Sequence, residues 1–195
     1  MRRLGVMGGT FDPIHIGHLL LAQFVQEKLL LDAVLFIPAA DPPHKEDRSD
    51  MAPAADRLAM VELAIEGFPC FRSSRIELDR PGKSYTYDTL EQLRADCPRS
   101  ELFLILGSDN SAQMATWYNP TGILDLCTVV AGSRSSATAQ VDPALGRRMV
   151  SIDTPVIDLS STQIRRRRAL GLSVRSMVPD RVEGYIEEKG LYLER

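Results

Sequence analysis

The 195-residue chain contains three cysteines, three histidines and a single tryptophan. Cys70, Cys97 and Cys127 are odd in number and share no C-x-x-C spacing, which argues against a disulfide framework and a cysteine zinc site and fits a reducing, cytoplasmic setting. No uninterrupted apolar run reaches about 18 residues, so no membrane-spanning helix is expected. Met1 leads straight into a strand pattern rather than a signal peptide. Acidic residues slightly outnumber basic ones, for a net charge of −3, so the basic excess of a nucleic-acid binder is missing. A local basic pocket for a small anion remains compatible with that total. Neither G-x-x-x-x-G-K-[ST] nor G-x-G-x-x-G occurs, which removes the P-loop and weakens a dinucleotide-binding dehydrogenase. Zinc-site spacing of the H-E-x-x-H type is absent too.

What remains is an ordinary globular composition, 44% hydrophobic and 25% charged, expected to form one domain over residues 1–195. Strand and helix patterns alternate along it. Strands are expected at 4–7, 33–38, 71–78, 102–106 and 127–131, with weaker ones at 150–152 and 156–159. Helices are expected at 19–31, 57–66, 87–96, 162–170 and 180–189. Residues 39–53 read as a loop, and the Ser/Ala/Thr-rich piece at 133–139 as a mobile surface loop. No internal repeat is found. Continuous apolar strands alternating with helices imply an α/β fold: a Rossmann-like, doubly wound parallel sheet with helices on both faces.

The histidines are not scattered. His15 and His18 lie in Gly8-Gly9-Thr10-Phe11-Asp12-Pro13-Ile14-His15-Ile16-Gly17-His18, between the first strand and first helix, and His44 lies in Pro42-Pro43-His44-Lys45. A strand-to-helix junction offers free N–H groups and the helix dipole to an anion. Its glycines let backbone approach a ligand. His15 and His18, three residues apart, share one side of the first turn and are suited to donating to phosphate, more strongly when protonated. Gly107-Ser108-Asp109 and Ser160-Ser161-Thr162 also sit past strand ends, where ligands bind in such sheets. Ser160 to Thr162 open a second helix, which they can cap while Arg165 stands one turn in. Arg166, Arg167 and Arg168 read as a solvated face. Trp117, among turn residues, is a stacking platform if exposed and a core residue if not.

Together these residues resemble the H-x-G-H nucleotidyltransferases, and more closely the bacterial nicotinate mononucleotide adenylyltransferase family. The likeness runs through GGTFDPIHIGHLLLA from Gly8, PPHK from Pro42 and Arg57. It continues in Ser84-Tyr85-Thr86-Tyr87-Asp88-Thr89-Leu90, Gly107-x-Asp109, Trp117, the serine-threonine helix start with Arg165, and the ending from Val178 to Tyr192. H-x-G-H alone would leave phosphopantetheine and cytidylyl transferases in play. The S-Y-T segment and Trp117 narrow it. Where the family tends to have an Arg-Pro-Gly-like turn after residue 131, this chain has Gly132-Ser133-Arg134-Ser135-Ser136.

The resemblance implies adenylyl transfer from ATP, with Mg²⁺, to nicotinate mononucleotide, giving the dinucleotide and pyrophosphate in NAD biosynthesis. It implies catalytic roles for His15, His18, Lys45 and Arg165. It implies ATP binding by Gly8, Gly9, Thr10, Phe11, His15, His18, Gly107, Asp109, Ser161, Thr162 and Arg165, and acceptor binding by Lys45, Tyr85, Thr86, Trp117 and Tyr118, with no protein-held metal. Partners are then the two small substrates, without nucleic acid or membrane. The alternatives are another acceptor on the same fold, nicotinamide mononucleotide or phosphopantetheine, and a catalytically silent nucleotide-binding regulator. A 5′-phosphate nucleophile is already ionised near neutral pH. Catalysis therefore reduces to in-line positioning and charge stabilisation.

Overall fold

The computed structural model describes residues 2–43, 51–133, 142–155 and 157–193. Six strands form one parallel sheet in the order β3-β2-β1-β4-β5-β6. They are β1 (Arg2–Gly9), β2 (Ala33–Pro38), β3 (Phe71–Ser73), β4 (Ser100–Leu106), β5 (Thr128–Ser133) and β6 (Met149–Asp153). The order reverses at β1, which pairs with β2 on one side and β4 on the other. The carboxyl ends of β1 and β4 therefore border the crevice where open α/β sheets bind ligands.

Strand side chains alternate between the faces and build two cores. Met7, Phe103, Ile105 and Val130 join α1 (Ile16–Leu29), α2 (Ala54–Ile65), α7 (Ser161–Ala169) and α8 (Asp180–Glu188) in one core. Leu4, Val6, Leu102, Leu104 and Leu106 join α3 (Thr86–Asp96) and α5 (Pro120–Leu126) in the other. The expected α/β architecture with helices on both faces is what the chain forms. On the first face, α8 docks on α2 through Tyr185 Oη donating to Asp56 Oδ1 at 2.8 Å and an Arg181–Glu66 ion pair. No described helix is long and apolar enough to cross a membrane.

Two expected strands differ. Only Phe71–Ser73 of the 71–78 run joins the sheet. Ser74 N–H makes one more bond to Phe36 O at 2.9 Å, and Asp79 N–H then closes a turn on Arg75 O. β3 is an edge strand, so apolar residues beyond that point pack without pairing. Residues 157–159 are not a strand, and Val156 is outside the described residues, so Ser160 follows a loop after β6. Short helices at α4 (Ser108–Gln113), α5 and α6 (Pro143–Gly146) fall where no element was expected. Both α5 and α6 have a side-chain cap followed by proline: Asn119 accepts from Gly122 N–H, and Asp142 from Ala144 and Leu145 N–H. The piece at 133–139 lies outside the described residues except for Ser133, which ends β5.

Helix α1 ends on Leu30, which adopts φ +50° while its side chain is 77% exposed. A left-handed cap suits glycine, and an exposed leucine gains no burial to offset its strain. Leu30→Gly is expected to stabilise the protein by about 0.5–1 kcal/mol, raising Tm by roughly 2–3 °C in thermal unfolding, with catalytic rate unchanged. A lower Tm would show that Leu30 packs in a way its exposure does not reveal.

Candidate active site

β1 ends at Gly9, and the segment to His15 folds back over the sheet's edge. Phe11 takes a left-handed φ of +50° with its ring only 2% exposed. That ring meets His18 edge-on, 5.1 Å between centroids, and Phe36 at 6.0 Å. A Cβ on Gly9 would stand 3.3 Å from it, tighter than ordinary contact. Phe11 thus borders the cleft but mainly props His18.

Asp12 is buried in the same turn. Its Oδ1 accepts from Ala52 N–H at 3.0 Å and from Tyr192 Oη at 2.8 Å, while Oδ2 lies 3.5 Å from Arg165 Nη1. Arg165 Nη1 also donates to the Asp12 carbonyl at 2.8 Å. Arg57, fully buried, donates to Thr10 O at 2.7 Å and Ala52 O at 3.1 Å. Burial pulls the Arg57 pKa down, and the Asp12 charge opposes that shift. Burial and the Asp12 charge push the Tyr192 hydroxyl up. Arg57 and Asp12 stood inside the sequence motifs. Tyr192 as their partner did not, because nothing local marks a contact across 180 residues.

His15 is the N-cap of α1 and His18 its third residue. The His15 N–H donates to His18 Nδ1 at 3.2 Å, so the neutral His18 ring carries its proton on Nε2. The rings stack at 3.7 Å. Burial lowers the His15 pKa to about 4, and burial followed by the His15 charge lowers His18 well below its ordinary value. Both imidazoles are therefore neutral at pH 7 in the ligand-free site, and donate through N–H rather than as imidazolium.

The cleft beside them holds about 320 Å³. Gly8, Gly9, Thr10, Phe11, His15 and His18 line it from the β1 side, with Gly107 and Asp109 from the start of α4 and Ser161 from α7. Ser161 Oγ is turned to the loop, donating to Pro13 O at 2.8 Å. Ser160 and Gln163 form the capping box of α7, and the first N–H groups of a helix have no intrahelical acceptor. Thr162 and Arg165 instead border a neighbouring cavity with Tyr192, and Arg165 is anchored to Asp12.

Tyr85, Thr86, Trp117 and Tyr118 are not among the residues that line this cleft. Tyr85 is the N-cap of α3 with Thr86 following, and its ring sits 4.9 Å from that of Tyr118, which is 54% exposed. Trp117 is half-buried, packed against the second core. The N–H groups of Tyr85 and Trp117 already donate to Lys83 O and Met114 O. Thr86 and Tyr118 remain as the backbone donors of these two segments. Lys45, His44 and Arg134 lie outside the described residues.

Residues 6–167 match the cytidylyltransferase-like family model, a span from β1 into α7 that includes both histidines and Arg165. A Thermus thermophilus protein named "probable nicotinate-nucleotide adenylyltransferase" is 47% identical over 97% of this chain and 99% of its own. The chain belongs to the nicotinate-nucleotide adenylyltransferase family. A like-named protein of Dehalococcoides mccartyi is 43% identical over 97% of both chains, so the family likeness runs on past residue 167 into α8. At the level of fold, the solved nicotinic acid mononucleotide adenylyltransferase of Plasmodium falciparum, complexed with NaAD, superposes with a TM-score of 0.82 over 98% of both chains at 16% identity.

The Asp12 charge opposes the effect of burial on Arg57, and leaving a buried charge uncompensated costs about 3–5 kcal/mol. Asp12→Ala is expected to lower Tm by roughly 10 °C, and Asp12→Ala with Arg57→Met to regain part of that loss. Calorimetry of the two variants checks this. A double variant no more stable than the single one would show that the Asp12 carboxylate does not serve to compensate Arg57.

Proposed function

We propose that this protein transfers the adenylyl group of ATP to the 5′-phosphate of nicotinate mononucleotide, giving nicotinate adenine dinucleotide and pyrophosphate in NAD biosynthesis. One observation carries the proposal. Two neutral, stacked imidazoles with a defined tautomer open a helix beside glycine-lined backbone, in the crevice where the strand order reverses. The family relatives supply the name of the reaction, and the whole chain, 1–195, acts as one catalytic unit.

In this reaction an acceptor phosphate oxygen attacks the α-phosphorus, and the bond to the bridging oxygen of pyrophosphate breaks on the opposite side. The acceptor phosphate is an anion already, so no general base is required. His18 Nε2–H donates to an α-phosphate oxygen as charge shifts across it, and His15 steadies the ring through stacking and its backbone N–H. The N–H groups at the α7 start receive the β- and γ-phosphates. Arg165, held by Asp12 and Thr162, adds positive charge on that flank, and Lys45 reaches in from its loop. Gly107 and Asp109 meet the adenosine. Ser161 contributes backbone rather than hydroxyl, and Phe11 contributes through His18.

Among the described residues no group of three or more His, Cys, Asp or Glu side chains is placed to hold a metal ion. Mg²⁺ enters as part of the substrate, carried by the triphosphate. Both substrates are small molecules, no nucleic acid or membrane is engaged, and the setting is the cytoplasm.

The pyridine end is gripped by Tyr85, Thr86, Trp117 and Tyr118. The nicotinate carboxylate accepts from Thr86 and Tyr118 N–H through both oxygens. A carboxamide of the same shape would turn its NH₂ toward one donor and leave it unpaired, a mismatch that buried sites reject by up to about 10⁴. The test is pyrophosphate release with ATP and each acceptor in turn. Expected is a kcat/KM for nicotinate mononucleotide on the order of 10⁴ above that for nicotinamide mononucleotide, with no turnover of phosphopantetheine. Equal values for the two pyridine nucleotides would overturn the acceptor assignment. Binding of ATP without turnover of any acceptor would mean a silent regulator.

A further inference from the structure

The C-terminal segment reaches the phosphate-side loop through a residue that the mechanism above does not use. Helix α8 ends at Glu188, and Gly190, at φ +59°, turns the chain back. The Gly190 N–H donates to Glu187 O at 3.2 Å and the Leu191 N–H to Ile186 O at 3.0 Å. Tyr192 follows in the left-handed region, at φ +63°. A bulky side chain rarely takes that conformation, and such strain persists only where the surroundings over-determine it. Here Leu191 and Tyr192 both pack against the first core, and the Tyr192 hydroxyl donates to Asp12 Oδ1 at 2.8 Å.

The two oxygens of that carboxylate are held differently. Oδ1 accepts twice, from Tyr192 Oη and from Ala52 N–H at 3.0 Å. Oδ2 has no hydrogen bond among the described residues and pairs with Arg165 Nη1 at 3.5 Å. Two donors arriving at one oxygen from separate segments resist rotation of the carboxylate about its Cβ–Cγ bond, so the other oxygen stays turned to the guanidinium. Burial and the Asp12 charge keep the tyrosine protonated, and hence a donor, through the neutral range. Arg165 is then fixed on two sides, with Nη1 donating to Asp12 O at 2.8 Å and Nη2 to Thr162 Oγ1 at 3.5 Å. A guanidinium carries five N–H groups. The Nε–H and one Nη2–H of Arg165 have no partner among the described residues and remain for a ligand.

We propose that Tyr192 is a positioning residue for the triphosphate: by pinning Asp12 Oδ1 it keeps Oδ2 on Arg165 and holds that guanidinium on the phosphate flank. This role rests on the reading of Arg165 as a cation for the phosphates of ATP. Tyr192 does not line the cleft, and its hydroxyl is committed to Asp12, so it acts through that carboxylate and not on the reacting atoms.

The experiment measures pyrophosphate release by wild type, Tyr192→Phe, Arg165→Ala and the double variant. Phenylalanine keeps the ring and its packing and removes the one hydrogen bond, a loss that corresponds to roughly ten-fold. Tyr192→Phe is expected to lower kcat/KM for ATP by about ten-fold and to leave the KM for nicotinate mononucleotide within about two-fold of wild type. In the Arg165→Ala background the same substitution is expected to change kcat/KM by less than about two-fold, because the residue it acts through is gone. A tyrosine that served stability alone would cost the same in both backgrounds. An unchanged kcat/KM in Tyr192→Phe, an equal loss in both backgrounds, or an equal rise in the acceptor KM would each overturn the proposal. Asp12→Asn reads the relay from its middle, so the result stands if Tyr192→Phe does not fold. Its amide oxygen still accepts from Tyr192 and Ala52, but its NH₂ meets Arg165, and kcat/KM for ATP is expected to fall at least as far. No change there would also overturn the proposal. Arg165→Ala alone separates the two claims. If it lowers kcat/KM and Tyr192→Phe does not, the positioning role fails alone. If Arg165→Ala leaves kcat/KM unchanged, the phosphate reading of Arg165 has failed and the relay with it.

Discussion

The shape of the phosphate-side loop depends on Asp12. Its carboxylate, 1% exposed, collects a backbone N–H from the start of α2, a hydroxyl from the C-terminal segment and the charge of Arg165 on α7. Four segments that the sequence keeps far apart are tied at one point. A buried carboxylate is costly unless it is bonded and paired, and here the cost is offset by two hydrogen bonds, Arg165 and the nearby buried Arg57. Arg57 returns the constraint by holding the Thr10 carbonyl. The docking of α8 on α2 then has a purpose beyond burial. It delivers Tyr192 to Asp12, so the last turn of the chain closes on its first loop.

On this frame the histidines are set rather than free. Phe11 accepts a left-handed backbone, at a cost typical of strained functional loops, and its ring braces His18. The His15 N–H fixes the His18 tautomer, and burial keeps both rings neutral. His18, neutral with its proton on Nε2, is a hydrogen-bond donor through that atom and has no lone pair on it for attack. That is why the proposed reaction assigns His18 to stabilising charge on the α-phosphate, not to forming a bond with it. The proposed acceptor side is built differently, from aromatic rings and the start of α3.

Much of this was legible in the sequence because the signals were local. Glycines, histidines and a helix pattern after a short apolar run place the β1–α1 junction. The run at 33–38 coincides with β2, since a buried parallel strand has no other way to satisfy its backbone. The overestimate at 71–78 has a physical origin. An edge strand ends where a neighbour stops offering partners, and no composition rule sees the neighbour. The helices α5 and α6 carried Asn119-Pro120 and Asp142-Pro143, a cap and a first-turn proline, but their brevity gave no periodicity to find. Arg165 looked like a free cation at a helix start, whereas its guanidinium is anchored to Asp12. Tyr192 was invisible as a functional candidate, since its partner lies 180 residues away with no repeating pattern.

Direct transfer is the central claim: His18 donates a hydrogen bond to the α-phosphate, His15 steadies its ring, and the acceptor phosphate displaces pyrophosphate in one step. The stereochemical course at the α-phosphorus tests it. With ATP carrying sulfur in place of one α-oxygen in a single configuration, the dinucleotide product is expected to show inversion at phosphorus. Net retention would require two displacements, hence an adenylyl group resting on the protein, and would contradict the donor role of His18.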